Sequence, residues 1–385
     1  MTLFKTSFWM GILTLLKAIC TYVMWKIIAV RVGPSGIALI EQFQNFIQVS
    51  RVSVPSGINE GVVKYTSEHR EDFLKKSDIL SNAMWVNSII CFVSCAALII
   101  FSKDFSMLIF KSAHYQKMII LVAAGVFLFM LNSFGMSILN AEMEIKKYTL
   151  CSTVNIVFNF ITTTSLVVFF GLTGGLIGFA VNQTVTALFV IYLVTRAKWF
   201  RITFFFSKMN LVASKKLITY SLIPLSAALI GPIAGLITIN YVAHMLTWTG
   251  AGYWQSIMRL SEGYITLMAM LFGFYFLPKY SSIKKIDDLK REVVKSHYTI
   301  MPLIFFTASM VFLFKKEIVL MMFSKAFLPI IPLFKYQLIG DVSRSSTWLL
   351  KNILAARAMV KTCISMEVIF TSFYVILTIS FVHIT

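Results

Sequence analysis

Apolar runs close to twenty residues long recur from one end of the chain to the other, and the stretches between them are rich in lysine and arginine. A helix rises about 1.5 Å per residue, so roughly 20 apolar residues cross a hydrocarbon core about 30 Å thick. The pattern predicts eleven spans, at 7–30, 35–63, 79–101, 118–140, 149–170, 174–195, 217–243, 251–277, 297–314, 328–350 and 362–382. The longest connections, near 195–216 and 278–296, are both basic, and neither is large enough for an extramembrane domain. The first run is no cleaved signal peptide, being too long, without a small-residue cleavage site, and interrupted by lysines. The predicted fold class is an all-α polytopic membrane protein.

The chain also repeats itself, twice at the same offset. KYTS at 64–67 matches KYSS at 279–282, and ILNAEMEIKK at 138–147 aligns with ILAARAMVKT at 353–362. The matches fall after spans 2 and 8 and after spans 4 and 10. The offset is therefore an even number of spans, and the halves share an orientation. Parallel repeats about an axis along the membrane normal are a transporter arrangement, with the site between the halves. Two lobes around a central cavity are expected: a six-helix N-terminal lobe at 1–205 and a C-terminal lobe of about five helices at 206–385. A six-plus-six design needs a twelfth span, and the sequence stops at Thr385, just after the eleventh.

Composition agrees with the membrane reading: 58% of residues are hydrophobic and 13% charged. The net charge of +19 could suggest nucleic acid, but the cations are distributed as topogenic loops. With the N-terminus in the cytoplasm, 22 basic residues fall on the cytoplasmic side and 7 on the other, leaving Lys17, Lys26, Arg51, Arg259, Lys335 and Arg344 inside spans. That asymmetry predicts a cytoplasmic N-terminus and no nucleic-acid partner. The five cysteines all lie in apolar spans and read as small buried hydrophobes, and the histidines have no metal spacing.

Some spans carry polar stripes. Glu41, Gln44, Gln48 and Arg51 follow one another at spacings of 3, 4 and 3, on one helical face. Gln255, Arg259 and Glu262 repeat the device in span 8, and Gln337, Asp341, Arg344 and Trp348 in span 10. A charge at the bilayer centre costs at least ~2.5–3.5 kcal/mol, so these faces must look into a bundle or a wet cavity. Lys17 lies about 15 Å into its helix, too deep to reach either surface easily, whereas Lys26 and Lys335 are near the outer ends and can snorkel. The expected substrate-binding cations are Lys17, Arg51, Arg259 and Arg344, and the expected coupling or counter-ion acids are Glu41, Glu262 and Asp341. A structural ion pair of Arg344 with Asp341 is an equal alternative. Four cations against three acids suit an anionic cargo, and arginine suits bidentate contact with phosphate. Glu262, one turn from Arg259, could reset that grip. Asn155, Asn159, Asn182, Gln183 and Asn240 read as helix–helix hydrogen-bond partners. Pro224 and Pro232, with Gly231 and Gly235, predict a bent helix in span 7. No phosphate-cradling glycine loop, nucleophile–His–acid set or metal cluster appears, so neither ATP, a cofactor nor catalysis is expected.

The segments VGPSGIALIEQFQNFIQVS, GINEGVVKYTSEH, GYWQSIMRLSEGYI, LPKYSSI, REVVKSHYTIMP and YQLIGDVSR resemble the Wzx-type polysaccharide flippases, those of enterobacterial common antigen and O-antigen. The resemblance covers nearly the whole chain and is most specific at 33–69 and 252–303. It implies the superfamily (MOP) that also holds MATE-type multidrug exporters and the lipid II flippase, with twelve to fourteen spans in two lobes around a V-shaped cavity. It further implies movement of an undecaprenyl-diphosphate-linked oligosaccharide from the cytoplasmic to the periplasmic leaflet of the bacterial inner membrane, with other glycan-assembly proteins as partners. Lipid II flippases line helices 1, 2 and 8 with cations, and Lys17, Arg51 and Arg259 occupy those helices here. Two alternatives stand beside this reading. One is a MATE-like exporter of small amphiphiles, for which cationic drugs would call for a net acidic cavity, and this one is net basic. A glycan polymerase or ligase would need a large outer loop.

Overall fold

The computed structural model describes residues 3–52, 56–69, 71–197, 199–205, 211–283, 285–357 and 359–384. The helices are α1 (Leu3–Val52), α2 (Ser56–Glu68), α3 (Phe73–Ile100), α4 (Ser102–Phe110), α5 (Gln116–Ala141), α6 (Ile145–Val181), α7 (Thr184–Thr195), α8 (Leu211–Met245), α9 (Trp248–Ser282), α10 (Ile286–Leu313), α11 (Lys315–Met322), α12 (Phe334–Ala356) and α13 (Val360–Ile384). Among the described residues no strand is present. Seven helical stretches among them are long and apolar enough to cross a membrane: Gly11–Arg51, Phe73–Ile100, Ala113–Ala141, Ile145–Thr195, Ala228–Met245, Asp287–Leu313 and Lys361–Val382. Of these, Gly11–Arg51 and Ile145–Thr195 each hold two legs. α1 is broken at Gly33 (φ 67°) and α6 at Gly171 (φ 58°). Both backbones are left-handed, which glycine alone adopts without a Cβ penalty. Pro34 then starts the second leg of α1, where its fixed φ suits a first helical turn. The first legs of the two broken helices are tied together near the breaks, since Arg31 Nη2 donates to the carbonyl of Val168.

α12 falls outside that set despite its length, because the Gln337–Asp341–Arg344 stripe lowers its hydropathy. All eleven predicted spans coincide with helix, with three differences, one being the interruption of span 174–195 between Val181 and Thr184. Span 2 is carried by the second leg of α1 and by α2, with residues 53–55 outside the described set. Residues 325–333 form a 3-10 helix instead of α-helix, because Pro329 and Pro332 offer no N–H to an α ladder. α8 runs uninterrupted through Pro224 and Pro232.

The internal repeat reaches the level of elements, close to the offset of the two sequence matches. α10 (from Ile286) answers to α3 (from Phe73), and α11 (from Lys315) to α4 (from Ser102). α12, ending at Ala356, answers to α5, ending at Ala141, and α13 (from Val360) to α6 (from Ile145).

Two compact units divide the chain: Met1–Arg31 with Ile40–Asn240, and Val32–Leu39 with Tyr241–Thr385. The boundary expected at 205/206 meets residues 206–210, which lie outside the described set. In the first unit α8 is held by Gln42 Nε2, which donates to Leu236 O (3.1 Å), and by Asn240 Nδ2, which donates to Leu108 O (2.8 Å). One end of this unit is built around Ile58, Val62, Leu80, Ala83, Val86, Phe134, Ile138 and Phe204, all buried. Beside this core Lys76 and Glu142 form an ion pair whose side chains are each only 5% exposed. The ammonium also faces the rings of Trp199 (5.2 Å) and Phe204 (5.0 Å). In the sequence Lys76 counts as a loop cation; burial and pairing overturn that reading. In the second unit Phe276, Tyr280, Leu289, Ile300 and Ile304 form a core between α9 and α10. The five cysteines are free thiols, with Cys91 and Cys151 buried and the others half-buried.

Candidate functional site

The polar stripe of α1 delivers Arg51 to the last turn of its second leg. Its Nη2 donates to Asn182 Oδ1 at 2.8 Å, and its guanidinium lies 5.1 Å from the ring centroid of Phe129. Asn182 sits where the helix between Gly171 and Thr195 is interrupted: α6 ends at Val181 and α7 starts at Thr184, with the ladder resuming at Ala187 N–H to Gln183 O (2.8 Å). That point is eleven residues from the break at Gly171 and thirteen from Thr195, about 16 and 20 Å along the axis, so it is near mid-depth. Gln183 is buried, and its Oε1 accepts from Asn132 Nδ2 (2.7 Å) on α5 and from Asn155 Nδ2 (3.1 Å) on α6. Four helical segments therefore meet through one arginine and four amides. Among the described residues Arg51 pairs with no carboxylate. The reading of Asn155, Asn182, Gln183 and Asn240 as helix–helix hydrogen-bond partners matches their bonds, whereas Asn159 accepts from Thr163 Oγ1 (3.2 Å) within its own helix.

The other candidates are placed as follows. Lys17 is exposed, in helical register with Met24 and Ile28, which are buried. Glu41 is half-buried. In the second unit Arg259 is half-buried and Glu262 exposed. Among the described residues Glu262 carries no ion pair, so the contact with Arg259 that their spacing allows is not formed here. Asp341 is buried at 3% exposure, and Arg344 is exposed. The Asp341 carboxylate accepts from the Tyr264 hydroxyl and from Gln337 Nε2 (2.9 Å). Its partners are thus a phenol and an amide, not Arg344. Sequence reasoning misses Tyr264 and Phe129 altogether. An aromatic in an apolar span gives no signal of its own.

An arginine held inside the first two-legged helix of a chain of this architecture has a family context. Residues 3–234 match the family described as polysaccharide biosynthesis protein. The chain belongs to that family. The lipid III flippase of Escherichia coli (strain K12) is 25% identical over 379 residues, covering 96% of this chain and 88% of that one, and the lipid III flippase of Shigella flexneri gives the same figures. Among solved structures, an inward-facing MATE family transporter of the MOP superfamily superposes with a TM-score of 0.65 at 16% identity, over 93% of this chain and 83% of that one. A MOP superfamily transporter from Pyrococcus furiosus, reported for the reverse polarity of its binding pocket, gives 0.53 at 12% identity over 98% and 92%. This member of the polysaccharide biosynthesis family is accordingly a multi-pass membrane protein with the fold of MOP superfamily transporters.

Proposed function

We propose that the protein is a flippase that carries an undecaprenyl-diphosphate-linked oligosaccharide repeat unit from the cytoplasmic to the periplasmic leaflet of the bacterial inner membrane, for O-antigen-type surface polysaccharide synthesis. The observation that carries this reading is Arg51, a cation in the last turn of a membrane-crossing leg, bonded to an amide at the mid-depth interruption of its neighbour. A half-buried cation at membrane depth without an acid is costly unless an anion visits it. A diphosphate offers charge and a geometry that a guanidinium fork matches. End-to-end relation to lipid III flippases supports the substrate class. Lys17, Arg259 and Arg344 are proposed as the further cationic contacts, and Glu41, Glu262 and Asp341 as coupling or counter-ion groups. The lobes are proposed to divide near 205/206, with the N-terminus cytoplasmic and other glycan-assembly proteins as neighbours. The role is transport, with no bond made or broken.

The MATE-type neighbours share the fold but do not choose the cargo, because pocket polarity varies within the superfamily, as the Pyrococcus furiosus transporter illustrates. A cationic drug would be repelled by Arg51. The deciding experiment reconstitutes the protein in vesicles containing undecaprenyl-diphosphate oligosaccharides of defined structure and measures their leaflet exchange. Exchange that depends on Arg51 supports the proposal. Absence of exchange, together with efflux of a cationic dye, would replace it with the exporter reading.

A further inference from the structure

The partner of Arg51 is neutral. Asn182 Oδ1 accepts one N–H of the guanidinium, and the Phe129 ring covers one face of it. Neighbouring polar groups at this depth are Gln183, Asn132 and Asn155, each from a different stretch of helix and each an amide. No acid from any of these elements reaches Arg51 among the described residues. A bundle needing only to hold an arginine there would do better with a carboxylate, which adds a counter-charge and bidentate geometry that an amide lacks. An amide fixes the guanidinium without cancelling its charge. A guanidinium has five N–H donors, and one goes to Asn182, so an edge of the fork is left for a ligand. Gln183 in turn is held by two donors, which pins the interruption on which Asn182 rides.

We infer that Asn182 is a positioning residue that orients Arg51 while leaving its charge uncompensated, so that the diphosphate of the lipid carrier becomes its counter-ion. This rests on the flippase reading above, and it makes neutrality at residue 182 the feature that matters.

The test is the near-isosteric Asn182→Asp, which keeps the acceptor oxygen and adds an internal counter-charge. The full chain in nanodiscs is titrated with undecaprenyl diphosphate and, separately, with phosphatidylglycerol, and thermal stability is measured alongside. The inference expects Asn182→Asp to be as stable as the parent or more so, yet to bind undecaprenyl diphosphate about tenfold or more weakly, with phosphatidylglycerol little changed. A merely structural Asn182 predicts unchanged or better binding, because the arginine would be held more firmly. Should Asn182→Asp fail to insert, Gln183→Glu carries the same test. It retains the acceptor for Asn132 and Asn155 and adds charge at the same depth, so it too must weaken binding. Parent-like affinity in the variant that folds overturns the inference and leaves the flippase reading standing. Equal weakening for both lipids overturns the diphosphate assignment in favour of a glycerophospholipid site. A parent that binds no undecaprenyl diphosphate overturns the flippase reading itself, and this inference with it.

Discussion

Among the described residues the best-buried charges in the first unit are not those of the stripes. Lys76 and Glu142 are closed off by Trp199 and Phe204. Removing one partner of a buried pair leaves an uncompensated charge, at a cost of about 3–5 kcal/mol, whereas replacing both with apolar residues is often neutral. Glu142→Gln is expected to lower unfolding stability in detergent by that order, and the double variant Lys76→Met with Glu142→Leu to recover most of it. Nearby, Asp72 caps α3: its Oδ1 accepts from the Lys75 backbone N–H at 3.1 Å, with Lys75 Nζ 3.4 Å from Oδ2. The backbone hydrogen bond, chiefly, holds the Asp72 carboxyl below its ordinary value. A depressed carboxylate pKa contributes stability above the unfolded value and loses it as pH falls through the folded one. Hydrogen-exchange protection of the first turn of α3 should therefore fall on acidification, and Asp72→Asn should abolish that pH dependence while keeping a cap. The stripes themselves are legible in the sequence because a 3–4 spacing is a one-dimensional signal. The pairing of Arg51 with Asn182 is not, because 131 residues separate them and periodicity says nothing of which helices meet. Lys76 misleads for a related reason: it is a cation at a span boundary, and only the folding of residues 199–205 against it removes it from water.

Glycines decide how the elements approach one another. A Cβ at Gly174 would collide with the backbone carbonyl of Leu166, and one at Gly178 would stand 2.9 Å from Thr163 Cα. These two glycines, four residues apart, let the legs on either side of Gly171 pack backbone to backbone, the small-xxx-small contact that replaces hydrophobic driving force inside a membrane. Gly231 has nothing within 4 Å of its Cβ position. In a thermal-unfolding series Gly174→Ala should destabilise most and Gly178→Ala less, the latter by an overpacking cost of about 1–3 kcal/mol. Gly231→Ala should be neutral or mildly stabilising, since alanine is the better helix former. Helix existence is readable from apolar length. The breaks at Gly33 and Gly171 are also readable, as gaps between adjacent spans. The 3-10 character of 325–333 is hidden by the apolar residues around its prolines.

The charge asymmetry of the whole molecule makes a prediction of its own. Of the cytoplasmic set Arg70, Lys198, Lys208 and Lys284 lie outside the described residues, while Lys285, Lys290, Arg291 and Lys295 are exposed on or beside α10. In a background free of the native cysteines, Lys290→Cys should be labelled by an impermeant maleimide only from the cytoplasmic face and Lys103→Cys only from outside. Labelling of both from one face would refute the assigned topology. The internal repeat shows in the sequence as two short matches, and the matching order of α3 to α6 and α10 to α13 extends it to the folded elements. The lobe boundary expected at 205/206 meets residues outside the described set, and composition, which marks loops, is its one sequence signal.

The buried Lys76–Glu142 pair also bears on biosynthesis. The rings that cover it, Trp199 and Phe204, precede α8 in the chain. A ribosome elongating at about 5–20 residues per second supplies the whole enclosure well before the second repeat is translated. The ammonium is thereby neutralised and covered while synthesis continues. A nascent chain stalled beyond α8 would already resist proteolysis at this end, and one stalled before Trp199 would not.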